Sequence, residues 1–206
     1  MAALIILAAG ESRRLGRPKQ NLLFHGQTLL QRAIETALAT ACRPVFVVLG
    51  ANADGIKLTG SAEVKILYNK DWEEGLSSSI RIAIREIEND QEIDQAILML
   101  CDQPFVTPRL IGDLLKKQEA TSKPIIACSY YDTVGVPVLF ARSLFAELRS
   151  LQGGEGAKKL LQANTQYIAR IPFEQGWVDI DTEADYELLI KQSKANSPQT
   201  PQKPSQ

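Results

Sequence analysis

Apolar residues recur along this chain in two alternating rhythms. Short apolar or β-branched runs cover residues 3–8, 44–50, 64–68 and 95–101, the pattern of strands in a mostly parallel sheet. Between them the spacing becomes helical, first at Leu29, Leu30, Ala33, Ile34, Ala37 and Leu38, then at Leu76, Ile80, Ile84 and Ile87. Leu110, Leu114 and Leu115 continue it after Thr107-Pro108, where Thr suits an N-cap and Pro a first helical position. The alternation predicts an α/β fold of three layers, doubly wound around a mostly parallel sheet.

The second half is less regular. Residues 124–129 and 135–140 read as two strands joined by Tyr130-Tyr131-Asp132-Thr133, residues 166–171 read as another, and a helix is expected around Tyr186, Leu189 and Ile190. From Ser193 onward no residue is large and apolar enough to anchor the chain, so a folded domain is expected over 1–192 and a disordered tail over 193–206.

Composition narrows the partners. With 206 residues, 45% of them hydrophobic, the chain can bury one substantial core. Lys and Arg number 23 against 24 Asp and Glu, so no global basic field points to nucleic acid. No apolar stretch reaches the roughly 20 residues that span a bilayer, and residues 3–9 lack the basic flank and length of a signal peptide, which together predict a cytoplasmic protein. Cys42, Cys101 and Cys128 form no CxxC pair and stand with a single histidine, His25. They read as buried small hydrophobes in a reducing compartment, and His25 as part of a turn with Gly26.

The chemistry concentrates where the first strand breaks. Gly10-Glu11-Ser12-Arg13-Arg14-Leu15-Gly16-Arg17-Pro18-Lys19 holds two glycines and four cations at a strand's carboxyl end, where α/β sheets bind ligands. Glycine lets the backbone approach a ligand closely, and Arg and Lys are permanent donors, so the loop suits a nucleoside triphosphate. A Walker A loop would need Lys-Ser/Thr directly after Gly16, where Arg17-Pro18-Lys19-Gln20 stands. The spacing of Gly10 and Gly16 does not supply a dinucleotide fingerprint either.

Three further segments carry candidate groups. Leu100-Cys101-Asp102-Gln103-Pro104 delivers Asp102 at the end of a strand, where it can hold Mg²⁺ on a triphosphate or cap a turn. Asp179-Ile180-Asp181-Thr182 offers a second acid, with Asp179 and Asp181 on one face if extended and a helix cap as the competing role. Asn69, Trp72, Gly75-Leu76-Ser77-Ser78-Ser79 runs into a helix whose N-terminus can face negative charge, and Trp72 reads as packing.

Leu7-Ala8-Ala9-Gly10-x-Ser12-x-Arg14-x-Gly16-x-x-Lys19 resembles the signature loop of the nucleotidyltransferases that include molybdenum cofactor cytidylyltransferase and its guanylyltransferase relatives. The resemblance implies a Rossmann-like nucleotidyltransferase fold that moves CMP from Mg-CTP to the terminal phosphate of molybdenum-loaded molybdopterin. Relatives using GTP usually carry Leu-Ala-Gly-Gly here, so Ala9 favours CTP. Leu7, Ala8, Ala9, Gly10, Arg14, Lys19, Gly75, Ser77 and Ser79 are implied nucleotide contacts, with Arg14, Lys19 and Asp102 catalytic and Asp102 and Asp181 the Mg²⁺ ligands. Gly135 and Pro137 match the family's Gly-x-Pro strand, and Gly153, Gly156 and Lys158 its glycine-rich loop, both on the second-substrate side. Gly154 stands where Asp is usual and Lys158 where Arg is usual, so a sugar- or alditol-phosphate nucleotidyltransferase stays open as an alternative. So does a non-catalytic molybdenum cofactor chaperone, and a transient complex with a molybdenum hydroxylase apoenzyme follows from either cofactor reading.

Overall fold

The structure is a computed structural model that describes residues 1–56 and 63–195. Its centre is a seven-stranded sheet, built from β1 (Ala2–Ala8), β4 (Val45–Leu49), β5 (Val64–Tyr68), β6 (Gln95–Leu100), β7 (Ile125–Tyr130), β8 (Thr133–Ala141) and β9 (Ile168–Pro172). The order is β5-β4-β1-β6-β8-β7-β9. Only β8 runs against the rest, since it pairs antiparallel with β6 and β7 while every other pairing in this sheet is parallel. The mostly parallel sheet therefore stands, with its reversal in the less regular half.

The two faces follow from the strand period of two. Along β1, Leu4, Ile6 and Ala8 pack with Leu30 and Ile34 of α1 (Leu29–Leu38) and Ile111 and Leu114 of α3 (Pro108–Thr121). Ile5 and Leu7 face the other way, onto Ile80, Ile84 and Ile87 of α2 (Leu76–Ile87). Leu4, Ile5 and Ile6 are wholly buried, and each such side chain contributes about 1.5–3 kcal/mol of transfer free energy. Thr107 caps α3 by accepting from the Leu110 N–H, with Pro108 at the start, and Thr28 caps α1 in the same way.

Three short elements go beyond the expectations. A hairpin of β2 (Leu23–Phe24) and β3 (Gln27–Thr28) turns through His25 and Gly26, both at positive φ, which is the turn anticipated for that pair. Helices α4 (Phe145–Arg149) and α5 (Lys158–Ala163) are too short to show a helical period. The β7–β8 hairpin is tighter than expected: Tyr130 pairs with Thr133, so only Tyr131 and Asp132 form the turn. The final strand is shifted to 168–172 because Thr165–Tyr167 form a 3-10 turn.

Helix α6 (Glu183–Ala195) runs through Ser193, Lys194 and Ala195, past the expected domain boundary. The rest of the anticipated tail, 196–206, lies outside the described residues. A separate apolar cluster of Leu15, Leu22, Phe24, Leu29, Ile180 and Leu189 binds the basic loop, the small hairpin and α6 together. That cluster brings residue 180 to the first loop. No helix among the described residues is long and apolar enough to cross a membrane.

Candidate functional site

A cleft of about 430 Å³ opens at the carboxyl ends of β1 and β6. Its wall includes Leu7, Ala8, Ala9, Gly10 and Lys19 from the first strand and loop, Trp72, Gly75, Leu76 and Ser79 from the entry to α2, and Leu100, Cys101 and Asp102 from β6. Gln20, Gly154, Asp179 and Asp181 complete it. The aligned ends of parallel strands leave this crevice because the chain turns away into helices on both sides.

The basic loop is held from beneath. Gln20 is buried, and its Nε2 donates to the carbonyls of Ala8 (2.6 Å) and Gly10 (3.1 Å). Ser12, at φ 62°, accepts the Lys19 N–H on its Oγ at 3.1 Å, and Gly16 takes φ 72° as the loop closes. This curl directs the Lys19 side chain inward. Its Nζ donates to Asp102 Oδ2 at 2.5 Å and to Asp181 Oδ1 at 3.0 Å, so one ammonium spans acids from two distant segments. Arg14 reaches the other oxygen of Asp181 at 2.5 Å, and Arg17 pairs with Glu183 at 2.7 Å.

Electrostatics at the Lys19 pair are those of a buried ion pair. The two side chains are 17% and 6% exposed, so solvent screens them little. Burial alone would lower the Lys19 pKa, but the charge and hydrogen bond of Asp102 outweigh it and hold the ammonium well above its ordinary value. Asp102 Oδ1 is buried without a partner. Asp179 is pushed up to about 7, first by burial and then by the neighbouring Asp102 charge, with Lys19 opposing.

Capping of α6 belongs to other groups than the cleft acids. Asp185 Oδ2 accepts from the Thr182 N–H at 2.8 Å, and Thr182 Oγ1 accepts from the Asp185 N–H at 3.2 Å, a reciprocal capping box. Asp181 is therefore left facing the cleft. Two carboxylates with substrate phosphates suit Mg²⁺, and the unpartnered Oδ1 of Asp102 is an acceptor with capacity to spare, so the donor set fits a divalent cation. Among the described residues no three His, Cys, Asp or Glu converge to hold a metal unaided. The cysteines are all buried and free, with Cys101 and Cys128 each pushed up to about 12 by burial first, hence poor thiolates.

The remaining expected contacts lie away from the cleft wall. Arg14 stands above it on Asp181. Ser77 points into the interior, wholly buried with its Oγ unpartnered, whereas Ser79 lines the cleft and accepts from Asn69 Nδ2 at 3.0 Å. Gly135 is small for an internal reason: a Cβ there would lie 2.2 Å from the Tyr130 hydroxyl. Pro137 is buried in β8, and Lys158 is exposed at the start of α5. The 153–158 loop lies over the start of α2. A Cβ on Gly75, at φ 107°, would come 2.5 Å from Gly154 Cα, and one on Gly156 would meet Leu76 at 2.6 Å. Gly153 accepts from the Ser77 N–H.

Two glutamines were not anticipated as structural ties. Besides Gln20, buried Gln103 donates through Nε2 to the carbonyls of Val136 (3.3 Å) and Gly176 (3.2 Å), joining the Asp102 turn to β8 and to the approach of Asp179. Their partners come from other segments, so local sequence carries no signal of them. Trp72 packs on the core beneath α2 and also lines the cleft.

The doubly wound sheet carries a basic first loop that meets Asp102, just after β6, and Asp181, just before α6, and its family model is that of a nucleotidyltransferase. The chain belongs to the family of the MobA-like NTP transferase domain, whose model matches residues 4–169. It is 32% identical to nicotine blue oxidoreductase of Paenarthrobacter nicotinovorans, over 90% of this chain and 95% of that one. It is 26% identical to the purine catabolism protein PucB of Bacillus subtilis, over 90% and 94%, and 23% identical to molybdenum cofactor cytidylyltransferase of Escherichia coli, over 88% and 92%. Among solved structures, the Mycobacterium tuberculosis rv0371c homolog from mycobacterium sp. strain JC1 superposes with a TM-score of 0.81 at 30% identity, covering 94% of this chain and 98% of that one.

Proposed function

We propose that this protein transfers CMP from Mg-CTP to the terminal phosphate of molybdenum-loaded molybdopterin, releasing pyrophosphate and giving the cytosine dinucleotide form of the cofactor. The observation that carries this reading is the meeting of Lys19 with Asp102 and Asp181 in the cleft below the first loop. The likeness to molybdenum cofactor cytidylyltransferase supports the acceptor, and Ala9 in the first loop supports CTP.

An acceptor phosphate oxygen forms a bond to the α-phosphorus in line, and the bond from that phosphorus to the α–β bridging oxygen breaks, its electron pair leaving on pyrophosphate. A phosphate nucleophile is already ionised, so the step needs no general base. The protein supplies position and charge. Lys19 and Arg14 neutralise the triphosphate, the Gly10 backbone allows its close approach, and Ser79 and Gly75 border the nucleotide. Asp102 and Asp181 would hold Mg²⁺, which when bound screens the phosphate oxygens. The acceptor enters from the side of Gly135, Pro137 and the loop bearing Gly153, Gly156 and Lys158, whose Gly154 reaches the cleft. In this role the protein works in the cytoplasm and hands its product to a molybdenum hydroxylase apoenzyme.

Pyrophosphate release with Mg²⁺ and CTP, GTP, UTP or ATP, each with and without molybdenum-loaded molybdopterin, tests this directly. Release only with CTP plus the pterin is expected. Binding of the pterin without release by any nucleotide would replace transfer with a carrier role. The 32% identity to nicotine blue oxidoreductase favours a second reading, an oxidoreduction in the same cleft. Turnover of nicotine blue in a redox assay, with no pyrophosphate from any nucleotide, would select it.

A further inference from the structure

We infer that Lys19 is the resident counter-cation of the metal site, so that a divalent ion is admitted only together with a triphosphate. The inference rests on the cleft being the Mg-nucleotide site proposed above, and it concerns the order in which that site fills. Two carboxylates, Asp102 and Asp181, are already matched by two cations: Lys19 bonds to both acids, and Arg14 takes the second oxygen of Asp181. The paired groups sum to zero charge. Asp179 is a further acid on the cleft wall.

A bare divalent cation entering this arrangement meets an ammonium already seated between its two ligands. Lys19 cannot withdraw alone, because Asp102 is buried and would be left as an uncompensated charge. A triphosphate changes both conditions, since its roughly four negative charges give Lys19 and Arg14 new partners as the metal takes over the carboxylates. Metal and nucleotide therefore bind with positive coupling, and Lys19 serves the acids in one state and the phosphates in the other. The chain separation of 83 residues between Lys19 and Asp102 makes the pair a product of the fold.

Mn²⁺ binding to the whole protein, counted by the loss of the free-ion paramagnetic signal at neutral pH, tests the exchange without reference to turnover. In the absence of any phosphate, Lys19→Ala and Lys19→Gln should bind Mn²⁺ more tightly than wild type by about tenfold, within the usual range for coupled ligands. Adding Asp102→Asn to either variant should remove that gain. Equal or weaker Mn²⁺ affinity in a folded Lys19 variant overturns the inference. Wild-type protein supplies an arm that needs no variant: Mn²⁺ alone, at a concentration that saturates the protein in the presence of inorganic triphosphate, should leave it largely empty, and saturation by Mn²⁺ alone overturns the inference. Conditional metal binding without pyrophosphate release would remove the proposed reaction and keep this coupling, whereas unconditional binding with normal turnover would do the opposite.

Discussion

The two halves of the cleft are built differently. On the side of β1 and β6, charged groups come from segments far apart in the chain, yet they meet at hydrogen-bond distance and are locked by buried glutamine and apolar contacts. On the side of β8 and the 153–158 loop, the glycines fit against Tyr130, Leu76 and each other, and Lys158 extends into solvent. The first half has its charges in place before any ligand arrives. The second offers shape and a nearby cation, and among the described residues no charge pair of it lines the cleft. In the proposed reaction, preorganised charge serves the triphosphate, whose charge distribution changes, while a bulky acceptor needs room to enter.

The largest effect should come from breaking the charged half. Asp102→Ala and Lys19→Ala are each expected to lower turnover about 100-fold or more, the scale for removing one preorganised charge stabiliser, in single-turnover assays on folded protein. Near-normal turnover in both would dissolve the contrast between the halves. Gly75→Ala tests the seam between them, because the added methyl meets the Gly154 backbone at 2.5 Å in a left-handed conformation. It should cost about 1–3 kcal/mol of unfolding free energy, and an unchanged denaturation midpoint would mean the seam is loose.

Thr182→Ala removes one side of the capping box and should cost about 1 kcal/mol, read as a melting temperature lower by roughly 2–4 °C. A larger loss of activity than of stability would assign the threonine to the cleft instead of the helix. The smallest effect is expected at Lys158→Ala, whose exposed position limits the acceptor KM change to about fivefold, with the CTP KM unaltered. A CTP effect there would place the loop on the nucleotide side.

Much of this was legible from local pattern. Buried strands such as β1 and β6 announce themselves as apolar runs, and Thr107-Pro108 marks the start of α3 because capping is a short-range interaction. Asp102 and the pair Asp179 and Asp181 are legible as candidate acids from residue type and position and Lys19 as one of four loop cations, while the family resemblance singles out Asp181; Lys19, Asp102 and Asp181 converge. The pairing among them was not legible, since a cation and an acid give no sign in sequence of which side chain each will meet. Gly135 fits a ligand contact by motif, yet the ring of Tyr130 fills the space that a side chain would take.

The most direct test is a crystal structure of the protein with Mg²⁺ and a CTP analogue whose α–β bridge cannot be cleaved. The triphosphate should lie over Gly10 with Lys19 moved onto its oxygens, and Mg²⁺ at about 2.0–2.1 Å from oxygens of both Asp102 and Asp181. A nucleotide bound elsewhere, with Lys19 still joined to the two acids, would contradict it.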